Sequence, residues 1–562
     1  MKALSARSLM AAIFVACCSG AYAQTVVPTD SASTCKVSAI ELADWFASGM
    51  ITANGIVDPA DSLAFPNVPN CSFYKWSEQM FLWLTSPAPS RYGQGTHVFN
   101  SPVFYNVSPA DSMGQRTLSP NSPGRLILNT KISQLGPAKK PVVFDKTGKM
   151  FTVVRPELSA GNRLLVRNKL GEPVEVKSTQ IVNGKPLFVD HTGKAIDTQL
   201  LKNGAPRLLD QNGKAIDIKL DKRVLINGKT FFFDAFGNLV ETEQGQADGN
   251  VLVANGNKLV YYALQVNDVY AYFMTGTKNN QIPGPPSQFP INATDLNNVK
   301  TFGLAHNKTF PDAVALAVEL KSSWVEATGL DTTKYITMSA TIPTYDKSNP
   351  QQWVQTGTTT ATLAMVGMHV VGSANGHPEL IWATFEHVDN TRNAAYSYNS
   401  TGGVTNVLQN NAGTWLFSST PPSGSPNDST VTVANNGIAA TTPAGIVPAD
   451  ILRENAWGTL PGSASFTSNN SDIIAINDSI INHLAAGDLR KNYVMTGTTW
   501  TPFGSAPGPG NQGVGTSKMA NSTMETFFQF GNCFACHSGN MLGTPGGGGL
   551  SHIWGDLKPL FP

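Results

Sequence analysis

Thr358-Thr359-Thr360-Ala361-Thr362-Leu363-Ala364-Met365-Val366-Gly367-Met368-His369-Val370-Val371 leads through Gly372-Ser373-Ala374-Asn375-Gly376 into Pro378-Glu379-Leu380-Ile381-Trp382-Ala383-Thr384-Phe385-Glu386-His387-Val388. β-Branched and aromatic residues on both sides of an Asn-Gly turn predict two long strands joined as a hairpin. With Asn375 and Gly376 as the central turn residues, His369 faces residue 382 and His387 faces residue 364. The two histidines then lie about 17 Å apart, too far to share one metal. Either alone is a candidate metal ligand.

Working outward, Leu259 to Phe273 and Val314 to Leu320 also read as strands. Ile473, Ile476, Ile480, Ile481 and Leu484 mark one helix ending before Gly487, and Ser418 to Ser429 is loop. Charged residues make up 14% of the 562, and the net charge is +1. So even a balance excludes a basic nucleic-acid surface, and low charge with many turn formers fits an exported, β-rich chain. The fold class expected is mainly β (α+β overall), and the length calls for several domains.

Between Gly136 and Val251 the sequence repeats. Val142-Val143-Phe144-Asp145-Lys146-Thr147-Gly148 is echoed by Leu187-Phe188-Val189-Asp190-His191-Thr192-Gly193, Arg207-Leu208-Leu209-Asp210-Gln211-Asn212-Gly213 and Phe231-Phe232-Phe233-Asp234-Ala235-Phe236-Gly237. Leu165 to Glu172 is a degenerate fifth unit. Most units are a strand, an Asp-x-x-Gly turn and a second strand. One hairpin cannot bury its apolar face, so the five are expected to stack or wrap into a small solenoid or barrel. They resemble the hairpin repeats of bacterial cell-wall-binding modules, without the regular Trp and Tyr pairs of those modules, and a spacer role is the plainer reading.

Met1 to Gln24 has the form of a secretory signal: Lys2 and Arg7, an apolar run from Leu9 to Cys18, and a cleavage site at Ala21-Tyr22-Ala23. Cys17 or Cys18 is an alternative lipidation site. No other apolar run approaches membrane-spanning length. A helix is expected over Val37 to Met50. A second carries the stripe Phe73, Trp76, Met80, Phe81, Trp83 and Leu84, with Glu78 solvent-facing or paired. Cys35 and Cys71 are expected to form a disulfide, permitted by export and stabilising by roughly 3–4 kcal/mol.

The chemistry lies near the end, in Gly531-Asn532-Cys533-Phe534-Ala535-Cys536-His537-Ser538. Cys-x-x-Cys-His is the attachment signature of a c-type haem. Two thiols three residues apart reach the two vinyl groups of one porphyrin, and the adjacent imidazole meets the iron. A zinc site would need a second Cys-x-x-Cys, and the chain has none. A redox dithiol would follow a strand in a βαβ unit. Upstream, Ser522-Thr523-Met524-Glu525 has the form of a capping box opening a short helix to Phe530, and Phe527, Phe528 and Phe530 offer an apolar wall. For the sixth iron position the candidates are His552, beyond the glycine-rich Gly543 to Gly549, and Met541, which lies close to His537. Glu386, His387, Asp389 and Arg392 form a polar cluster that reads as ion pairs or, alternatively, as acid–base groups beside a haem.

Glu319-Leu320-Lys321-Ser322-Ser323-Trp324, Gly367-Met368-His369-Val370 and Ile381 to Asn390, together with the C-terminal Cys-x-x-Cys-His, resemble recurring segments of uncharacterised exported bacterial mono-haem cytochrome c-like proteins. The resemblance implies one covalent haem c per chain and electron transfer, with a redox partner protein or small redox molecule. Small soluble cytochromes c differ, carrying the motif near the N-terminus. The expected organisation is a signal peptide (1–23), an N-terminal helical or mixed part (24–135), a β-hairpin repeat insertion (136–251), a β-rich central domain (252–515) and a short helical haem-attachment segment (516–562). The expected function is one-electron transfer in the cell envelope, the periplasm first, with Cys533 and Cys536 tethering haem and His537 as proximal ligand. The alternatives are a haem enzyme with an open sixth position and an envelope adhesion protein with structural haem.

Overall fold

The hairpin at the centre of the sequence is also the centre of the fold. In the computed structural model, the described residues are 26–66, 70–109, 115–121, 124–128, 142–144, 149–154, 164–182, 185–202, 204–210, 213–226, 229–234, 237, 239–240, 251–282, 289–409, 414–418, 426–434, 437–458, 464–505, 514–516, 518–527, 529, 533–537, 550–551 and 553–562. The signal segment, Phe528, Phe530, Met541 and His552 lie outside them. The protein is mainly β with a minority of helix.

The main sheet has thirteen strands. Those on or beside its long path are β1 (Phe104–Val107), β2 (Leu118–Pro120), β3 (Arg125–Leu126), β4 (Lys258–Asn267), β5 (Val318–Glu326), β6 (Thr337–Asp346), β7 (Gln352–Ala374), β8 (His377–His387), β9 (Tyr493–Trp500) and β10 (Val514–Gly515). The path runs β2-β1-β4-β5-β7-β8-β9-β10, with β6 beside β7 and β3 beside β6. β7 and β8 pair antiparallel around the Asn375-Gly376 turn, with Ala374 opposite His377. An irregularity then moves the register, so that His369 faces Thr384 and Gly367 faces Glu386. Leu380, at a φ of 71°, sits in this bulge and accounts for the two-residue departure from simple counting.

Helix α1 (Ala39–Trp45) is shorter than expected; Ser38 caps it, its hydroxyl accepting from the Glu41 N–H. Helix α2 (Asn70–Thr85) is buried on nearly every side, as a helix apolar all round must be. Phe81 stacks on Phe385 of β8 at 4.2 Å, and Phe73 stacks on Trp500 of β9 at 3.8 Å. Glu78 is neither solvent-facing nor paired: it is 4% exposed, Oε1 has no hydrogen-bond partner, and burial pushes its carboxyl up to about 8. The buried Arg490 donates to the Leu82 carbonyl at the end of α2 and pairs with Asp488, placing a cation at the negative end of the helix. Cys35 and Cys71 are joined in a disulfide that ties the chain before α1 to the first turn of α2.

The apolar run Leu259 to Phe273 divides into strand and helix. Asn267 ends β4, and its side-chain oxygen accepts from the N–H of Tyr270 and of Val318. This cap starts helix α3 (Asp268–Lys278). Helix α4 (Ala293–Ala305) packs beside α3, and helix α5 (Ala464–His483) presents Ile473, Ile476 and Ile480 to the core. The first core cluster joins α2, α5 and one side of the sheet; a second joins α3, α4 and the C-terminal segment. The 24–135 and 252–515 segments therefore share one sheet and one core, since β1 pairs directly with β4.

The repeats lie in the chain between those two neighbouring strands. Most of their strands form an eight-stranded sheet of their own, in which Leu239–Val240 of the last unit pairs parallel with Met150–Val154 of the first, while Ser178–Val182 and Lys185–Val189 pair as a separate two-stranded sheet. Leu164, Val166, Val176, Phe188, Ile196, Leu208 and Ile216 make a separate apolar cluster. Two of the Asp-x-x-Gly turns close as expected: the Gly193 N–H reaches the Asp190 carbonyl, the Gly213 N–H reaches the Asp210 carbonyl, and both glycines have positive φ. A second turn alternates with them. Val182 pairs with Lys185 and Ile226 with Lys229, and the intervening residues are Asn-Gly in both cases, the preferred pair for a two-residue hairpin.

Candidate functional site

Cys533–Cys536 forms a single helical turn, α6, and the His537 N–H continues it to the Cys533 carbonyl at 2.8 Å. Positions four apart on a helix share a face, so Cys533 and His537 come to one side. Cys533 is half-buried and packs on the second core cluster; Phe534 and His537 are buried, at 4% exposure each. The imidazole lies 4.0 Å from the Trp382 ring, tilted by 51°, and its Nδ1 is 2.7 Å from the Leu550 carbonyl oxygen. A carbonyl only accepts, so Nδ1 carries a proton, and in the neutral imidazole the lone pair is then on Nε2. A metal-binding histidine is normally fixed this way: the second nitrogen donates to a carbonyl, which sets the tautomer and strengthens the ligand. The residues present therefore fit a haem proximal ligand.

The approach to α6 is pinned to the sheet. Asn521 donates to Thr384 Oγ1 and the Phe385 carbonyl, at 2.9 and 3.0 Å, and accepts from the Thr523 N–H. Thr523 meets Ser323 on β5, and its carbonyl accepts from Tyr262 on β4. This turn passes directly over Gly367, where an added Cβ would lie 2.7 Å from Ser323 Oγ and Thr523 Oγ1. The segment 522–527 is a run of turns, not the helix expected. The reciprocal cap is shifted by one residue: Glu525 accepts from the Asn521 N–H, while Ser522 turns its N–H and hydroxyl to Glu386.

Glu386 is the anchor for that turn. It is fully buried, receives Arg453 in two bonds of 3.2 and 2.7 Å, and accepts from the Ser522 N–H at 2.8 Å. Arg392 pairs instead with Asp450. The polar cluster read from sequence is thus a set of ion pairs, with Arg453 as the partner that spacing did not disclose. His387 lies on the other side of β8, stacked on Tyr335 at 3.8 Å, its Nε2 donating to the Lys334 carbonyl and its Nδ1 accepting from the Asp389 N–H. Burial lowers its pKa to about 3; it is a satisfied neutral histidine.

His369 shares the sheet side of Thr384 and Trp382. Its Nε2 bonds both carboxyl oxygens of Glu525, at 2.9 and 3.1 Å. Burial pushes the Glu525 carboxyl up, but His369 and Lys321 outweigh it and hold it below its usual range. Among the other histidines, His377 is buried against Glu379 at 2.7 Å and His306 stacks on Phe561. Among the described residues no group of three or more His, Cys, Asp or Glu could hold a metal by itself, and no helix is long and apolar enough to cross a membrane.

The far arm of the site is held as firmly. Lys278 of α3 donates to the carbonyls of Trp554 and Leu557, the Arg116 N–H bonds the Asp556 carbonyl, and the Tyr270 hydroxyl meets Ser551 Oγ at 2.8 Å. Trp554 and Ile553 enter the second core cluster. Trp382 is the site residue that sequence could have offered, as an aromatic on the strand already singled out. The Leu550 carbonyl carries no side-chain signal at all. Comparison with protein-family models, curated proteins and solved structures returns no match.

Proposed function

We propose that this protein is an exported c-type haem protein of the cell envelope that carries out one-electron transfer. It is of the kind that the sequence resembles. Cys533 and Cys536 would hold one haem c covalently, with His537 as the proximal iron ligand. The observation that carries this reading is the His537 Nδ1 contact to the Leu550 carbonyl, made by the histidine of a Cys-x-x-Cys-His sequence. When bound, haem c supplies a one-electron ferric/ferrous couple. The chain's own part is to hold and orient: Leu550 keeps the Nδ1 proton in place, while Trp382 packs against the buried histidine and shields it from water. The electron would come from, and go to, a redox protein or a small redox molecule.

A haem-enzyme reading has one observation in its favour, the His369–Glu525 pair on the sheet side that also carries Trp382, where an acid–base group would be wanted. The optical spectrum of chain matured with haem-attachment machinery separates the two. A low-spin reduced spectrum unaffected by carbon monoxide is the expected result. A high-spin spectrum that shifts with carbon monoxide would favour the enzyme. Haem that washes out on denaturation, or no haem, would refute both.

A further inference from the structure

Ser551 directly follows Leu550, the residue whose carbonyl holds His537. The Ser551 hydroxyl meets the Tyr270 hydroxyl at 2.8 Å and lies beside Glu319, whose charged form it favours. Glu319 projects from β5, between Val266 of β4 and Val371 of β7, and is 9% exposed. Its Oε2 is buried with no hydrogen-bond partner. A buried carboxylate with one oxygen unsatisfied is poised to take a proton.

The polar groups around it come from several elements. Lys321 is two residues along β5, and beyond it lies the His369–Glu525 pair of β7 and the haem segment. Arg116, from the loop before β2, lies 3.8 Å from Asp556 of the C-terminal arm. Lys278 and Tyr270 come from α3. Burial pushes Glu319 up to about 7, against the Ser551 hydroxyl and the charges of Lys321 and Arg116. A small change of local field therefore shifts its occupancy near neutral pH.

We propose that Glu319 takes up one proton when the haem held by His537 is reduced and releases it on oxidation, so that the chain moves an electron and a proton together. The inference rests on the function proposed above. The electron would come from the redox partner, and haem, when bound, would supply the ferric/ferrous couple that accepts it. The proton comes from solvent to a Glu319 carboxyl oxygen, leaving the charge of the whole site unchanged. On oxidation both depart. Linkage is reciprocal: if reduction tightens the proton, the proton favours the reduced state.

The test is a spectroelectrochemical titration of the haem-loaded full chain at several pH values. Wild type should show a midpoint potential that falls with rising pH through the neutral range, by up to about 59 mV per tenfold change in proton activity for one electron. In Glu319→Gln the potential should be flat over that range. An equal slope in Glu319→Gln, or a flat wild type, overturns the inference while leaving the haem reading in place. Absence of covalent haem overturns both. Ser551→Ala guards against a Glu319 variant that does not fold. It keeps the carboxyl and removes a hydroxyl that favours its charged form, so the inflection should move to higher pH; an unmoved inflection overturns the inference.

Discussion

Replacing Arg453 with methionine should destabilise the protein severely and loosen the C-terminal Cys-x-x-Cys-His segment first. Arg453 is 1% exposed at its side chain and Glu386 is fully buried. In the variant Glu386 keeps its bonds from Ser522 and Asn390 but loses both guanidinium bonds and the only cation paired with it among the described residues. Removing one partner of a buried pair costs about 3–5 kcal/mol, most of it from the charge left behind. Glu386→Gln in the same background removes that charge and should restore most of the loss. The assay is guanidinium chloride unfolding of Arg453→Met, Glu386→Gln and the double variant, followed by tryptophan fluorescence and by the haem band. Because the chain has more than one core, the haem band is the pertinent probe and its transition should move furthest. Strict additivity in the cycle, or a single-variant loss below about 1 kcal/mol, would refute the view that this pair anchors the C-terminal segment.

Three further outcomes are expected. Gly367→Val places a side chain against Ser323, Asn521 and Thr523 and should cost about 1–3 kcal/mol by overpacking; limited proteolysis should then release the C-terminal segment sooner, and an unchanged cleavage rate would contradict the proposed seating. His387 is neutral in the fold down to about 3, whereas an unfolded histidine protonates near ~6.5. The unfolded state thus binds the extra proton first, so stability is unaffected above that range and is lost as pH falls from about 6.5 toward 3. Denaturation midpoints of wild type should accordingly fall more steeply in acid than those of His387→Phe; parallel curves would exclude this origin. Cys35→Ser with Cys71→Ser opens a loop of sequence separation 36 and should lower stability by roughly 3–4 kcal/mol, measured as the shift between oxidised wild type and the double variant. A shift near zero would mean that packing around α2 already confines the loop.

The strands and turns were legible wherever the chemistry is local. β-Branched and aromatic runs, the Asn-Gly turn at 375–376 and the Asp-x-x-Gly glycines of the repeats each act within a few residues, so β7, β8 and the repeat turns follow from the letters. The Asn-Gly turns that alternate in the repeats carry the same kind of signal and could have been read. The division of Leu259 to Phe273 was harder, because a continuous apolar run suits a buried strand or a buried helix equally; Asn267 decides it only through its bonds to Tyr270 and Val318.

The sequence by itself determined the mainly β class, the aromatic helix α2 and the Cys-x-x-Cys-His candidate, since each depends on spacing along the chain. Only the tertiary structure decided where they meet. The two-residue register change at Leu380, the burial of Glu78, the choice of Arg453 over Arg392 as partner of Glu386, and the Leu550 carbonyl beside His537 all involve groups brought together by packing. A backbone carbonyl is the same in every residue, and a carboxylate's partner is set by which loop lands beside it. Neither leaves a local mark in the order of side chains.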